Sequence, residues 1–150
     1  MVAFTDSPAT FPDMSDKPTF TWPVRVYWED TDAGGVVYYA NYLKFLERAR
    51  TEWLSQLGLE QDRLAQEAGI VFVVRRVEAD YLRPARFNDR LSVHCELAEL
   101  SRVSLTMAQQ VRRGEEVLLD AVVKVVCVDW MAFRPVKIPQ FVMQALEPGI

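Results

Sequence analysis

Histidine and cysteine, the side chains that most often bind metals or act as nucleophiles, are scarce in this chain of 150 residues. It contains one histidine, His94, and two cysteines, Cys95 and Cys127, which are far apart in sequence. This set does not match the ligand spacing of a zinc site, so no metal is expected. A Gly-x-Ser-x-Gly elbow, a Walker loop and a Gly-x-Gly-x-x-Gly fingerprint are also missing. Their absence argues against a Ser-His-Asp hydrolase and against the common nucleotide-binding folds, and no cofactor is expected.

Positive charge and long apolar runs are limited as well. The chain has 17 Lys and Arg against 21 Asp and Glu, a formal net charge of −4, and no basic stripe. Nucleic acid is therefore not expected as a main partner. No apolar run approaches the ~20 residues that span a bilayer, and residues 1–17 lack the basic and apolar regions of an export signal. We expect a cytoplasmic protein with buried, reduced cysteines and no integral membrane segment.

The periodicity of apolar residues predicts a single α+β domain over residues 20–145. Residues 1–19, rich in Pro, Ser and Asp, are predicted to be a flexible tail, and residues 146–150 a C-terminal tail. Alternation from Phe20 predicts a strand that extends past Trp28, and three- and four-residue spacing predicts a long helix from Asn41, as N-cap, to about Leu57. A shorter helix over 60–68 and four strands over 70–82, 90–100, 103–112 and 116–130 follow.

The strands joined by short turns must be antiparallel, with the long helix covering one face of the sheet. The last strand, over 116–130, is apolar on both faces, so it is predicted to be central and covered on both sides. One helix cannot cover both faces. A second copy of the chain is the simplest cover, which predicts a homo-oligomer.

The residues that are suited to catalysis are concentrated in one segment. The acids Glu29, Asp30 and Asp32 end the first strand, and Gly34-Gly35 and an aromatic run lead directly into the long helix. Such a segment places a carboxylate beside the N–H groups of a helix start, where a polarised carbonyl can be held and attacked. A solvated turn is the alternative interpretation.

Residues 24–52 resemble the signature of the 4-hydroxybenzoyl-CoA thioesterase-like hotdog family, in particular the bacterial Tol–Pal-associated acyl-CoA thioesterases. The specific part is Glu29-Asp30-Thr31-Asp32-Ala33-Gly34-Gly35-Val36-Val37-Tyr38. The resemblance implies the hotdog fold, in which a five- to six-stranded antiparallel sheet wraps one long central helix, assembled as a homodimer or homotetramer. It also implies a cofactor-free enzyme that hydrolyses an acyl-CoA thioester to free acid and CoA.

The same resemblance implies roles for single residues. Asp32 matches the catalytic carboxylate, and the sequence leaves open whether it acts as general base or as nucleophile. Tyr39 matches the position whose backbone N–H binds the thioester oxygen, with Val37 and Tyr38 as further backbone donors. Relatives often carry His at the Tyr39 position, which affects a role of the side chain but not of the N–H. Glu29 and Asp30 are expected to be structural or solvated.

Coenzyme A brings negative phosphates, and Arg83, Arg86, Arg102 and Arg134 are the candidates to bind them. A structural salt bridge is the alternative for each residue, and we expect at least one of the set at the nucleotide end. Two other functions stay open. One is a binding or scaffolding protein for acyl carrier protein or envelope machinery. The other is a hotdog dehydratase, which would pair a carboxylate with His94, although His94 fits a sheet-face imidazole better.

Overall fold

The computed structural model describes residues 19–149, so residues 1–18 of the predicted N-terminal tail lie outside the described range. The strands and helices occur in the order β1 (Phe20–Arg25), α1 (Asn41–Gln56), α2 (Gln61–Arg63, followed by a π-turn over Leu64–Ala68), β2 (Ile70–Tyr81), β3 (Arg90–Leu100), β4 (Ser104–Arg113), β5 (Glu116–Asp129) and α3 (Gln140–Leu146). Single 3-10 turns cover Trp28–Asp30 and Glu147–Gly149.

Five antiparallel strands of the described range form one sheet in the order β1–β3–β4–β5–β2. Helix α1 lies against one face and buries the apolar stripe that its periodicity predicted, including Tyr42, Phe45, Leu46 and Ala49. Gly58, just after the helix, has φ +81°, as expected for a left-handed C-terminal stop. This arrangement leaves β1 and β2 as the edges of the sheet.

Strand β5 is central, as predicted, but its outward face is mixed. Asp120 and Lys124 are half-buried among the outward positions, while the outward-facing Val126 and Val128 are already buried within one copy of the chain. The sheet face opposite α1 therefore exposes less apolar surface than the sequence pattern predicted, and a partner is not required to cover it.

The first strand is shorter than predicted. It ends at Arg25, and Trp28 lies in a 3-10 turn with 73% of its surface exposed. The turn forms because the Oδ2 atom of Asp30 accepts a hydrogen bond from the backbone N of Tyr27 at 2.7 Å. The alternation of apolar and polar residues continues to Trp28 in the sequence, but the extended strand does not.

Both ends of the helical layer differ slightly from expectation. Asn41 is the first residue of α1 rather than its N-cap, which is Ala40. The Asn41 side chain instead donates to the backbone O of Asp30 at 2.9 Å. The predicted domain boundary at residue 145 falls inside α3, whose Leu146 is fully buried. None of the helices within residues 19–149 is long and apolar enough to cross a membrane.

Candidate functional site

Asp32 begins a tight turn between β1 and α1. Thr31 and Val37 form an antiparallel bridge, the N of Asp32 donates to the O of Val36 at 2.9 Å, and the N of Gly35 donates back to the O of Asp32 at 3.0 Å. The Oδ1 atom of Asp32 accepts from the N of Gly34 at 2.8 Å. The carboxylate is therefore oriented by its own turn, and its Oδ2 atom has no hydrogen-bond donor within residues 19–149.

Glycine is favoured at positions 34 and 35 for two different reasons. A Cβ atom on Gly34 would lie 3.1 Å from the Oδ1 atom of Asp32, closer than ordinary contact. Gly35 has φ +80°, a conformation that a side chain disfavours. Gly34 thus lets the backbone approach the Asp32 carboxylate closely, and Gly35 lets the chain turn.

Asp30 holds the segment together. Its side chain is 7% exposed, and its backbone O accepts from the N of Tyr38 at 3.0 Å and from the side chain of Asn41. Glu29 is exposed to solvent. Asp30 thus ties the acid segment to the start of α1, while Glu29 is the solvated acid.

The backbone donors predicted around Tyr39 need a correction. The N of Val37 donates to the O of Ala85 at 2.8 Å, and the N of Tyr38 donates to the O of Asp30. Both N–H groups are engaged, so neither is available to a thioester oxygen. The N–H of Tyr39 has no acceptor in the part of the chain that the structure describes, and the residue is 54% exposed.

Two tyrosines without a predicted role at the site form hydrogen bonds with its backbone, Tyr81 at Tyr39 and Tyr42 at Ala85. The hydroxyl of Tyr81, at the end of β2, donates to the O of Tyr39 at 2.9 Å, and the two rings are in edge contact. The Tyr42 hydroxyl accepts from the N of Ala85 at 2.9 Å. Burial raises the pKa of Tyr42 to about 12 and also raises the pKa of Tyr81, so both hydroxyls stay protonated at neutral pH.

The four arginines predicted to bind CoA fall into two groups. Arg83 and Arg86 lie at the Asp32 end of the sheet; Arg86 pairs with Val36 in the Asp32 turn, and Arg83 lies 3.5 Å from Glu116 in an exposed ion pair. Arg102 and Arg134 follow the far ends of β3 and β5. At about 3.3 Å per residue, the ten residues of β4 separate the two ends by roughly 30 Å. One chain does not bring all four around one carboxylate.

His94 lies on the face of the sheet away from α1. Its ring contacts the hydroxyls of Ser92 at 3.1 Å and Thr21 at 3.4 Å, and burial lowers its pKa. It does not meet Asp32 within one chain, in keeping with a sheet-face imidazole. Cys95 and Cys127 are buried and unpaired, and burial raises the pKa of their thiols to about 12 and about 11.

One long helix packed on one face of an antiparallel sheet, as found between residues 19 and 149, defines the hotdog fold. The family model of the Thioesterase-like superfamily matches residues 26–146, and the chain belongs to this family.

Relatives agree with this membership. Acyl-CoA thioesterase YbgC of Haemophilus influenzae is 45% identical over 128 residues, covering 85% of this chain and 94% of the relative. Acyl-CoA thioester hydrolase YbgC of Escherichia coli is 45% identical over 125 residues, covering 83% and 92%. The crystal structure of a probable thioesterase from Bartonella henselae matches with a TM-score of 0.77 at 33% identity, covering 81% of this chain and 100% of that chain. The predicted hotdog fold and the predicted enzyme class, a thioester hydrolase, are confirmed.

Proposed function

We propose that this chain hydrolyses acyl-CoA thioesters to a free acid and CoA, with Asp32 as the catalytic carboxylate and the N–H of Tyr39 as the donor to the thioester oxygen. The observation that carries the proposal is the half-buried Asp32 carboxylate, fixed by the N of Gly34 with one oxygen open. The names of the H. influenzae and E. coli relatives support the substrate class.

The chemistry needs little else. In the general-base route Asp32 takes a proton from water while the water oxygen attacks the thioester carbon, and the C–S bond breaks as the thiolate leaves and takes up the proton. In the nucleophilic route an oxygen of Asp32 attacks the thioester carbon, and the C–S bond breaks as the thiolate leaves. Water then hydrolyses the resulting mixed anhydride, which releases the free acid and restores the Asp32 carboxylate, while the thiolate takes up the remaining proton. A thiol has a pKa of about 8.5, so its thiolate leaves without a strong acid. A well-placed N–H donor to the oxyanion contributes about 3–4 kcal/mol.

A homodimer through β2 would complete the CoA site. β2 is a 12-residue edge strand without proline, with Val74 50% and Val77 39% exposed, whereas the β1 edge is short and contains Pro23. Long open edges recruit partners. A twofold axis through the middle of β2 would pair two copies antiparallel. It would thereby place Arg102 and Arg134 of one copy at the Asp32 end of the other. A tetramer, a cytoplasmic location and a Tol–Pal context remain predictions.

An exposed aromatic pair beside the site favours a second function, docking of acyl carrier protein. Trp28 and Phe87, 73% and 47% exposed, contact each other at 5.1 Å between ring centroids. Exposed Arg25 and Arg86 lie beside them in sequence, and the Arg25 side chain contacts Asn88. Such a surface fits an acidic protein. Carrier binding that Trp28→Ala abolishes, without turnover of any acyl-CoA, would favour this function over hydrolysis.

The decisive experiment is a hydrolysis panel of short, medium, long and aromatic acyl-CoAs. Asp32→Asn keeps an oxygen for the N of Gly34 but loses the base, so kcat should fall at least about 100-fold with the fold intact. Glu29→Gln, which neutralises a solvated acid three residues away, is the matched control and should keep wild-type activity. Wild-type rates in Asp32→Asn, or no hydrolysis by the wild type, would contradict the proposal.

A further inference from the structure

The loop after β5 exposes large apolar side chains on a hydrogen-bonded turn. Trp130, Met131 and Phe133 are 51%, 87% and 62% exposed. The Oδ1 atom of Asp129 accepts from the N of Met131 at 2.9 Å and from the N of Ala132 at 2.6 Å. Phe133 has φ +57°, a left-handed conformation unfavourable for a bulky residue. We call residues 130–133 the corner loop.

The corner loop is attached to the beginning of β2. The N of Trp130 donates to the O of Gly69 at 2.8 Å, and Ile70 pairs with Asp129. The other end of β2 is Tyr81, whose hydroxyl holds the backbone of Tyr39. The two ends of this open edge thus carry the corner loop and the thioester site.

Antiparallel pairing of two β2 strands about their middle brings these ends together. The beginning of β2 in one copy would then lie beside the end of β2 in the other, and the corner loop would face the rings of Tyr38 and Tyr39, which are 46% and 54% exposed. Charge is complementary as well, because exposed Arg134 follows the loop while Glu29 and Asp32 are near the facing end.

We propose that the corner loop of one subunit completes the thioester site of its partner, where Met131 and Phe133 form an apolar wall that contacts the acyl chain near Tyr39. The proposal rests on the proposed function and on pairing through β2. It names a second copy of this chain as the occupant of the surface, and it makes the two loop residues specificity determinants rather than groups that move protons.

The test variant is Met131→Ser/Phe133→Gly. Glycine accepts φ +57° without strain, so the turn is kept while its apolar side chains are removed. Loss of this contact should lower kcat/KM for a long-chain acyl-CoA by roughly tenfold or more. Phe133→Gly alone serves if the double variant is unstable. Phe141→Ser, which removes a ring 54% exposed on α3, is the matched control and should behave as wild type.

Subunit complementation separates a wall formed in trans from one formed in cis. Asp32→Asn and the loop variant are co-expressed with different tags, and assemblies holding both subunits are purified. If the loop acts on the partner, a mixed dimer contains one intact site and recovers about half of the wild-type activity. If the loop acts within its own chain, no intact site forms.

A mixed dimer no more active than the mean of its parents would overturn the proposal, as would wild-type kcat/KM in the loop variant. If that variant keeps full activity but loses binding of the wild type to phosphatidylglycerol vesicles, the loop faces a membrane surface instead. Absence of hydrolysis by the wild type itself contradicts the proposed function, so the two failures are distinguishable.

Discussion

Gly34→Ala is expected to damage catalysis while leaving the fold unchanged. The new Cβ atom would meet the Oδ1 atom of Asp32 at 3.1 Å, a few tenths of an ångström closer than ordinary contact. The carboxylate must turn away, and its 2.8 Å hydrogen bond from the N of Gly34 lengthens or breaks. Gly34 is not among the positive-φ glycines, so alanine fits the backbone.

The expected change in stability of Gly34→Ala is small, whereas the expected change in kcat/KM is large. Replacing glycine stabilises by about 0.4–1 kcal/mol through the unfolded chain, and losing one exposed hydrogen bond costs about 0.5–1.5 kcal/mol. The net change in the free energy of unfolding should be near zero. A displacement of about 1 Å at a reacting group costs on the order of 100-fold, so a smaller shift of the Asp32 carboxylate should lower kcat/KM about tenfold.

Gly35→Ala is the matched control. It meets no atom within 4 Å but has φ +80°, so it should cost about 1–2 kcal/mol of stability and keep most of its activity per folded molecule. The assay compares kcat/KM for one acyl-CoA with the melting temperature of each variant. Wild-type activity in Gly34→Ala, or a larger loss of activity in Gly35→Ala than in Gly34→Ala, would contradict the role assigned to Gly34.

Other variants test the surroundings of the site. Tyr81→Phe removes the donor to the O of Tyr39 and should lower kcat up to about fivefold, for a bond worth about 1 kcal/mol; steady-state kinetics at matched stability checks it. Amide hydrogen exchange should be fast at Tyr39 and slow at Val37, whose N–H is bonded to the O of Ala85; equal rates would contradict the assignment of the open donor. Burial lowers the pKa of His94 from 6.5. As the pH falls, the unfolded chain therefore takes up the proton before the folded chain does, and the free energy of unfolding decreases. His94→Gln should lessen this decrease, which urea unfolding at about pH 7 and about pH 5 would measure. Burial raises the pKa of Asp120, so the ionised carboxylate destabilises the fold at a pH above that pKa. Asp120→Asn should therefore raise the free energy of unfolding at neutral pH by less than about 1 kcal/mol. In acid, where Asp120 is protonated, the variant and the wild type should be equally stable.

The strands and the long helix could be predicted because their periodicity is local. The limits of β3 match the predicted residues 90–100, and α1 ends within one residue of the prediction. The errors at Trp28 and Asn41 arise where a hydrogen bond overrides the pattern. In both cases Asp30 is the partner, through its carboxylate in one and its backbone O in the other.

The candidate site was predictable only in part, for a similar reason. The position of Asp32 followed from the motif, but the availability of N–H groups depends on distant partners. The acceptor for Val37 is Ala85, and the hydroxyl that holds Tyr39 comes from Tyr81. The separation of the arginines depends on sheet topology, which places the residues after β3 and β5 at the opposite end from Asp32.

The location of Asp32 explains why its turn contains so many backbone bonds. A side chain on a short surface turn samples several conformations, and fixing them costs conformational entropy. The bonds from Gly34 to the Asp32 carboxylate, from Asp32 to Val36 and from Tyr38 to Asp30 offset that cost locally. The turn contributes Val37 to the buried core, whereas Asp32 and Gly34 lie outside that core. Changes at Asp32 and Gly34 should therefore alter catalysis more than the stability of the domain. A carboxylate oriented in this way, with one oxygen open to solvent, can accept a proton or attack a carbonyl without reorganising first.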